Sequence, residues 1–169
     1  MTIKKFKLFL ASDVEKEEQW LTDMSRKGLH LINYRLGMYY FEENPDESYV
    51  YQIDFREADD EYIQLYKDAG WEHIDSFIDR FHYFRTETNI EGTKKIYSDH
   101  ESVKETLQRM MTFYITFFFA MVASQIGLVA TWKGHPLQVT AAILIGLVFL
   151  LYLYLFFSLK RKISFYQDK

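Results

Sequence analysis

The sequence predicts an α+β fold, a ferredoxin-like β-α-β-β-α-β domain, followed by a hairpin of two transmembrane helices. Two observations predict it. The first 97 residues contain the same helix–glycine–strand joint twice, at Gly28 and Gly70, 42 positions apart. Residues 110–132 and 136–159 contain no charged side chain. The net charge also differs between the two parts of the chain: it is −7 for residues 1–97 and +3 for residues 98–169.

The first repeat is predicted to consist of a strand, a helix and an extended segment. Apolar residues alternate over residues 4–10, which is typical of a strand. Ser12 and Glu15 form a capping box that predicts the start of a helix. Gly28 ends that helix in the left-handed conformation, and residues 29–43 follow as extended chain. The apolar stripe of the helix consists of Val14, Trp20, Leu21 and Met24.

The second repeat follows the same order. Residues 44–47 (NPDE) predict a turn, and residues 49–55 alternate as a strand. Acids at 59–61 favour the positive end of a second helix, which Gly70 closes before the extended segment 71–85. Each extended segment of fifteen residues would reach about 50 Å, too far for a small domain. Each is therefore a bulged strand or a hairpin, and the sequence leaves both open.

The domain organisation has four parts. Residues 1–88 form the ferredoxin-like domain, residues 89–109 a linker and juxtamembrane helix, residues 110–159 the transmembrane hairpin, and residues 160–169 a basic tail. Each apolar run exceeds the roughly 20 residues that cross a bilayer core. Basic residues flank the hairpin on the side of both termini, which predicts a multi-pass protein of the cell membrane with cytoplasmic N- and C-termini. These residues are Lys94, Lys95, Lys104 and Arg109 before it, and Lys160, Arg161, Lys162 and Lys169 after it.

The hairpin carries two pairs of small residues, Ala123 with Gly127 and Ala142 with Gly146. Small residues four positions apart let membrane helices approach closely. Counted from the loop, the two pairs lie at matching depth, so we expect them to face each other within one chain. Contact between separate copies, a homo-oligomer, is the competing use. Because the spans contain no ionisable residue, the hairpin is interpreted as an anchor and not as a transporter.

Several chemistries find no support in the sequence. The chain has no Cys, its five His residues lack metal-ligand spacing, and no nucleotide-binding or nucleophile motif occurs. The acids Asp13, Glu15, Glu17 and Glu18 are interpreted as a solvated first helical turn. We therefore predict no enzyme, no catalytic residue, no cofactor and no metal. Nucleic acid is not expected as a partner either, because an acidic domain repels phosphates.

One face of the predicted sheet lacks a helical cover, since two helices cover only the other. Its out-of-phase positions combine aromatic and polar side chains, which suits a protein interface. An ordinary solvated surface is the alternative. The candidate interaction surface consists of Tyr40, Gln52, Asp54, His82 and Phe84.

Several short stretches carry a family resemblance: DVEKEEQWL at 13–21, IDF at 53–55, DAGWE at 68–72, YFR at 83–85 and IYSD at 96–99. Over roughly residues 4–105 the chain resembles the bacterial domain of unknown function 2812, although a bulkier residue is expected at Ala11-Ser12. The resemblance implies a membrane protein of Gram-positive-type bacteria, often encoded beside a PadR-type transcriptional regulator. It implies no known reaction.

Two functional hypotheses follow. In the first, the domain is a membrane-anchored interaction or sensory module with a regulatory role, acting through a protein partner such as a PadR-type transcriptional regulator. In the second, the hairpin forms an oligomer that senses or resists membrane-active compounds, with the domain as scaffold.

Overall fold

The computed structural model describes residues 2–88 and 100–167, and within them it confirms an α+β architecture with two long apolar helices. The strands are β1 Thr2–Phe6, β2 Leu29–Arg35, β3 Met38–Glu43, β4 Tyr49–Phe55, β5 Glu72–Phe77 and β6 Phe81–Glu87. The helices are α1 Val14–Ser25, α2 Asp60–Asp68, α3 His100–Ala130 and α4 Pro136–Gln167.

The first sheet is antiparallel, in the order β1-β3-β2. Its β2–β3 turn consists of Leu36 and Gly37, with φ of +45° and +79°. Positive φ at both central residues matches the twist of the flanking strands in a two-residue hairpin. A bulge in β2 shifts the register between Leu31 and Asn33. The first long extended segment is therefore a hairpin that also contains a bulge.

The second sheet repeats this plan in the order β4-β6-β5. Its β5–β6 turn places Ile78 and Asp79 both at φ +51°, and a bulge in β5 shifts the register between His73 and Asp75. Each of these features lies 42 residues after its counterpart in the first sheet. The repeated unit is therefore β-α-β-β.

The predicted ferredoxin-like order is not what the structure has. A β-α-β-β-α-β order in one sheet requires each long extended segment to be a single strand. Because both segments fold back at their turns, the described domain has the order β-α-β-β-β-α-β-β in two three-stranded sheets.

Helix α1 packs against both sheets and organises the main core. The Trp20 ring centroid lies 4.8 Å from that of Tyr39 and 5.9 Å from that of Phe41, both on the first sheet. Leu21 is fully buried in the same cluster. The buried members of this core are Leu21, Leu31, Tyr39, Phe41, Tyr49, Tyr51, Ile53 and Tyr83.

Helix α2 covers a different face, on the second sheet. Tyr66 stacks on Phe84 with ring centroids 3.8 Å apart, and Tyr62 and Trp71 complete this smaller cluster. The two helices therefore do not share one face of one sheet, as the ferredoxin-like prediction required.

The two helix starts differ. A 3-10 turn, Ala11–Asp13, precedes α1. Asp13 is the N-cap of α1, and its side chain accepts no capping hydrogen bond. The N-cap of α1 is therefore one residue later than Ser12, the N-cap of the predicted capping box. The carboxylate of Asp59 does cap α2, accepting from the N–H of Tyr62 at 2.8 Å. Within the predicted linker and juxtamembrane helix, 89–109, residues 89–99 lie outside the described residues.

The chain divides into two compact units, Met1–Thr106 and Leu107–Lys169. Two segments, Val103–Gly127 and Pro136–Phe165, are long and apolar enough to cross a membrane. Within each segment, an apolar stretch of 18 residues is only 6% and 11% buried by protein, respectively. A core helix of a soluble protein is mostly covered, so these helices present an unusually large apolar surface.

Candidate functional site

The predicted interaction surface is largely internal. Gln52, Asp54, His82 and Phe84 have exposed fractions of 3%, 1%, 4% and 0%, because α2 covers this face of the second sheet. Tyr40 lies apart from them on the first sheet, half-buried, with the Lys4 ammonium 5.3 Å from its ring centroid. The structure therefore does not bring the five residues together as one exposed patch.

Under α2, a buried carboxylate joins the helix to the sheet. Asp54 accepts hydrogen bonds from the hydroxyl of Tyr62 and from the N–H of Phe55. Burial and then the charge of Asp54 raise the pKa of Tyr62. The Arg56 guanidinium lies 4.3 Å from the centre of the Tyr62 ring. These contacts fix α2 on the sheet, so Asp54 is committed to the fold.

A chain of hydrogen bonds links two histidines through a serine. His82 Nε2 donates to the carbonyl of Arg56 at 3.0 Å, because that oxygen can only accept. In neutral His82, Nδ1 then accepts from the Ser76 hydroxyl at 2.8 Å, and that oxygen accepts from His73 Nε2 at 2.9 Å. Burial, followed by repulsion from His82, lowers the pKa of His73.

Glu17 is a buried carboxylate between α1 and both sheets. Its carboxylate is 8% exposed and accepts from the hydroxyls of Tyr39 at 2.7 Å and Tyr83 at 2.9 Å. These tyrosines belong to different sheets, so Glu17 joins both of them to α1. Burial raises the pKa of Glu17, and the two hydroxyls partly oppose that rise. Burial and the Glu17 charge raise the pKa of both tyrosines.

The prediction of a solvated acidic turn is therefore wrong for two of its four residues. Glu17 and Glu18 are both buried, with exposed fractions of 8% and 6%. The physical reason is that α1 lies between two sheets and needs polar side chains where it meets unpaired backbone. The sequence signal was a polar stripe at helical spacing, Glu18, Thr22 and Ser25, on a helix that also carries an apolar stripe.

This polar stripe satisfies the backbone of β4. Glu18 Oε1 accepts from the N–H of Ile53 at 2.9 Å, Thr22 Oγ1 from that of Tyr51 at 3.2 Å, and Ser25 Oγ from that of Tyr49 at 2.7 Å. The buried His30 continues the network from Ser25 Oγ, at 2.9 Å, to the carbonyl of Asn44, at 2.7 Å. These buried polar groups hold the domain together and are not available on its surface.

An acidic rim is one feature of that surface. Arg85 donates to Glu72 at 2.6 Å, pairs with Glu42 at 3.7 Å, and lies 4.3 Å from the ring centre of Tyr49. The hydroxyl of Tyr49 donates to Glu47, and this bond raises the pKa of Tyr49 to about 12. The exposed acids that define the acidic rim are Glu42, Glu43, Asp46, Glu47 and Glu72.

The two glycine joints have the left-handed backbone that the repeat predicts, with φ of +76° at Gly28 and +83° at Gly70. Their surroundings differ. A Cβ on Gly28 would lie 2.9 Å from Pro45 Cα, whereas a Cβ on Gly70 would meet no atom within 4 Å. Gly28 is thus required by both backbone and space, and Gly70 by its backbone alone.

The small residues of the hairpin are not brought together. Ala123, Gly127, Ala142 and Gly146 are all exposed, and a Cβ on either glycine would meet no atom within 4 Å. The predicted packing of the two pairs against each other within one chain is therefore absent here.

Aromatic rings make the contacts between α3 and α4 instead. The ring centroids of Phe118 and Phe149 are 5.5 Å apart, and those of Phe117 and Tyr152 are 6.1 Å apart. Beside them lies a cavity of about 340 Å³ with an almost wholly apolar lining. Its lining residues are Tyr114, Ile115, Phe118, Phe119, Tyr152, Leu153 and Phe156.

The fold defines a class of protein: an α+β domain of two β-α-β-β repeats, joined to two apolar helices of membrane-spanning length. Residues 13–119, more than half of the chain, match the family described as Protein of unknown function (DUF2812), and the chain belongs to that family. Neither curated proteins nor solved structures give a match. Across residues 2–88 and 100–167, no three His, Cys, Asp or Glu side chains group as metal ligands.

Proposed function

We propose that the chain is a membrane-anchored, non-catalytic interaction module of the bacterial cell membrane with a regulatory role. The observation that carries this proposal is the division into a folded α+β unit with its own core and two apolar helices that protein leaves almost uncovered. Such helices need lipid to cover them. Both termini, and with them the α+β domain, lie in the cytoplasm, as the basic flanks of the hairpin favour.

The partner in this proposal is a protein with a basic surface, for which a PadR-type transcriptional regulator is the leading candidate. Proteins that bind DNA carry positive patches. The acidic rim of the domain is complementary to such a patch, and its five acids are exposed. Binding there would compete with DNA and hold the regulator at the membrane.

The test uses the full chain in nanodiscs, the regulator and its operator DNA. We expect the protein to lower operator occupancy, and the double variant Glu43→Lys, Asp46→Lys to restore it. The control is Asp23→Lys, an acid on α1 outside the rim whose side chain is 44% exposed. Unchanged operator occupancy with the wild-type chain, or equal effects of rim and control variants, would reject the acidic rim as the site.

A second candidate function is an oligomer that senses or resists membrane-active compounds. The observation that favours it is the apolar cavity beside Phe118 and Tyr152, whose size and lining suit a small apolar ligand. The exposed small residues on both helices leave room for another copy. Resistance in cells that is lost on Phe118→Ala, but kept with Glu43→Lys, Asp46→Lys, would favour this function over the first.

A further inference from the structure

Three large apolar side chains are exposed together at the β2–β3 turn. Phe6, Leu8 and Leu36 have exposed fractions of 65%, 71% and 75%. They surround Gly37: a Cβ built there would lie 2.7 Å from Leu8 Cδ2 and 3.3 Å from Phe6 Cε2, and Leu36 is its chain neighbour. The N–H of Lys7 also donates to the carbonyl of Gly37 at 2.9 Å. We call Phe6, Leu8 and Leu36 the turn patch.

Leu36 occupies a position that normally takes another residue type. Its φ is +45°, and turns of this geometry favour Asn, Asp or Gly because those residues tolerate positive φ. A leucine there is strained, and the domain offers it almost no burial in return. Strained residues and clustered exposed apolar residues are both associated with binding sites. Contact with an apolar environment outside the domain would therefore stabilise the turn patch.

The charge around the turn patch differs from that of the rest of the domain. Residues 1–10 contain Lys4, Lys5 and Lys7 and no acid, within a region of net charge −7. In the described part of the chain none of these three lysines forms a salt bridge. Lys4 lies over the ring of Tyr40 on the face that Phe6 shares, and it is exposed. Lys5 alternates to the other face of β1, and the half-buried Lys7 lies with its ammonium 4.7 Å from the ring centres of Phe9 and Trp20.

We propose that the turn patch docks the domain on the surface of an anionic bilayer, with its three apolar side chains in the interface and Lys4 against lipid phosphates. Exposed Phe and Leu beside Lys are the composition that binds such interfaces. A second copy is a poorer occupant, because pairing two patches would bring like charges together, and three side chains offer far less than the roughly 800 Å² per partner of a stable interface.

The inference rests on the proposed membrane anchoring, because the anchor makes a weak contact effective. A domain tethered to a bilayer meets the lipid surface at a high effective concentration, so three apolar side chains and Lys4 on the same face suffice for partial docking. Docking would then favour one orientation of the domain at the membrane and fix which surfaces are left for a protein partner.

The experiment uses the full chain, which has no native Cys. Leu36→Cys receives an environment-sensitive fluorophore, and the chain is reconstituted in vesicles that contain nitroxide-labelled lipid. The matched control is Ile78→Cys, the equivalent turn residue of the second repeat, 52% exposed at φ +51°. Vesicles of phosphatidylcholine alone are compared with vesicles that also contain phosphatidylglycerol. Flotation of the protein with the vesicles tests the anchor separately.

We expect lipid quenching at position 36, stronger with phosphatidylglycerol and weaker at high salt, and little quenching at position 78. Adding Lys4→Gln should lower the docked-to-undocked ratio roughly fivefold, and Lys5→Gln, on the opposite face of β1, should lower it less. Protein that floats but shows no more quenching at 36 than at 78 overturns the inference and leaves the anchor intact. Disulfide dimers of the unlabelled Leu36→Cys variant in the same vesicles, with no quenching of the labelled one, would assign the patch to a second copy and also overturn the inference. Failure to float overturns the anchor and this inference with it.

Discussion

The hydroxyl of Thr22 on α1 accepts a hydrogen bond from the backbone N–H of Tyr51 on β4 at 3.2 Å and donates to the carbonyl of Glu18 at 2.9 Å. A helix side chain thus takes the position that a neighbouring strand would otherwise occupy. An unsatisfied buried N–H is costly, and β4 would leave several along this edge without α1. Helix α1 therefore protects the edge of the second sheet as well as filling the core.

Replacing Thr22 tests this role. Thr22→Val keeps the shape of the side chain but leaves the N–H of Tyr51 without an acceptor, so we expect a loss of about 1–3 kcal/mol in the free energy of unfolding. The measurement is urea unfolding of the full chain in detergent micelles, followed by tryptophan fluorescence. Hydrogen exchange at Tyr51 should accelerate in the same variant.

Thr22→Ser is the control for that experiment. It keeps the hydroxyl and loses only a methyl group, so the protection of Tyr51 should persist with a loss of about 1 kcal/mol or less. Equal destabilisation by Val and Ser would mean that the methyl group matters and the hydrogen bond does not.

The sequence predicted the repeated joint and the apolar spans, because these depend on local chemistry. Gly28 and Gly70 follow from left-handed helix ends, and the uncharged runs from bilayer thickness. It did not predict the two sheets, since the turns at Leu36 and Ile78 place apolar residues at positive φ, where turn rules expect Asn or Gly. With those turns unrecognised, each hairpin was open to interpretation as one long strand.

The prediction of the candidate interaction surface was wrong because it depended on tertiary packing. Alternation in β4 and β6 correctly separates the two faces, since Tyr51 and Ile53 face the main core and Gln52 and Asp54 the opposite side. Alternation says nothing about which face a helix will cover. The buried Glu17 was missed for a related reason, because its two tyrosine partners come from strands that lie far away in the sequence.

The stability of the domain should depend on pH through Glu17. Its folded pKa is raised, so the folded state binds the proton more tightly than the unfolded state does. The stabilisation by protonated Glu17 is fully present below its ordinary pKa of 4.5 and is lost as the pH rises through the raised folded pKa. Within that window the free energy of unfolding should change by up to about 1.4 kcal/mol per pH unit.

Glu17→Gln isolates this effect. The amide oxygen can still accept from Tyr39 and Tyr83, but the side chain does not titrate. We therefore expect the stability of the wild type relative to Glu17→Gln to increase as the pH falls towards 4.5. Taking the difference removes His73, whose lowered pKa makes the fold less stable as the pH falls. A difference that stays constant with pH would show that Glu17 keeps an ordinary pKa.

The two glycine joints should differ in their tolerance of alanine. At Gly70, alanine meets no neighbour and adds only the strain of positive φ, about 1–2 kcal/mol. At Gly28, the added methyl group also lies 2.9 Å from Pro45 Cα, a backbone atom that cannot move aside cheaply. Urea unfolding should therefore show a larger loss for Gly28→Ala than for Gly70→Ala. The reverse order would contradict the packing of the β3–β4 turn against Gly28.

The orientation of the chain in the membrane can be tested with single cysteines. Gly134 lies in the connection between α3 and α4, is exposed, and has no atom within 4 Å of an added Cβ. Basic residues flank the far ends of both helices, so this connection should lie outside the cell. Gly134→Cys should react with a membrane-impermeant maleimide in intact cells, and Asp46→Cys in the α+β domain should react only after lysis. Labelling of Asp46→Cys in intact cells, with Gly134→Cys protected, would reverse the orientation and place the acidic rim out of reach of any cytoplasmic regulator.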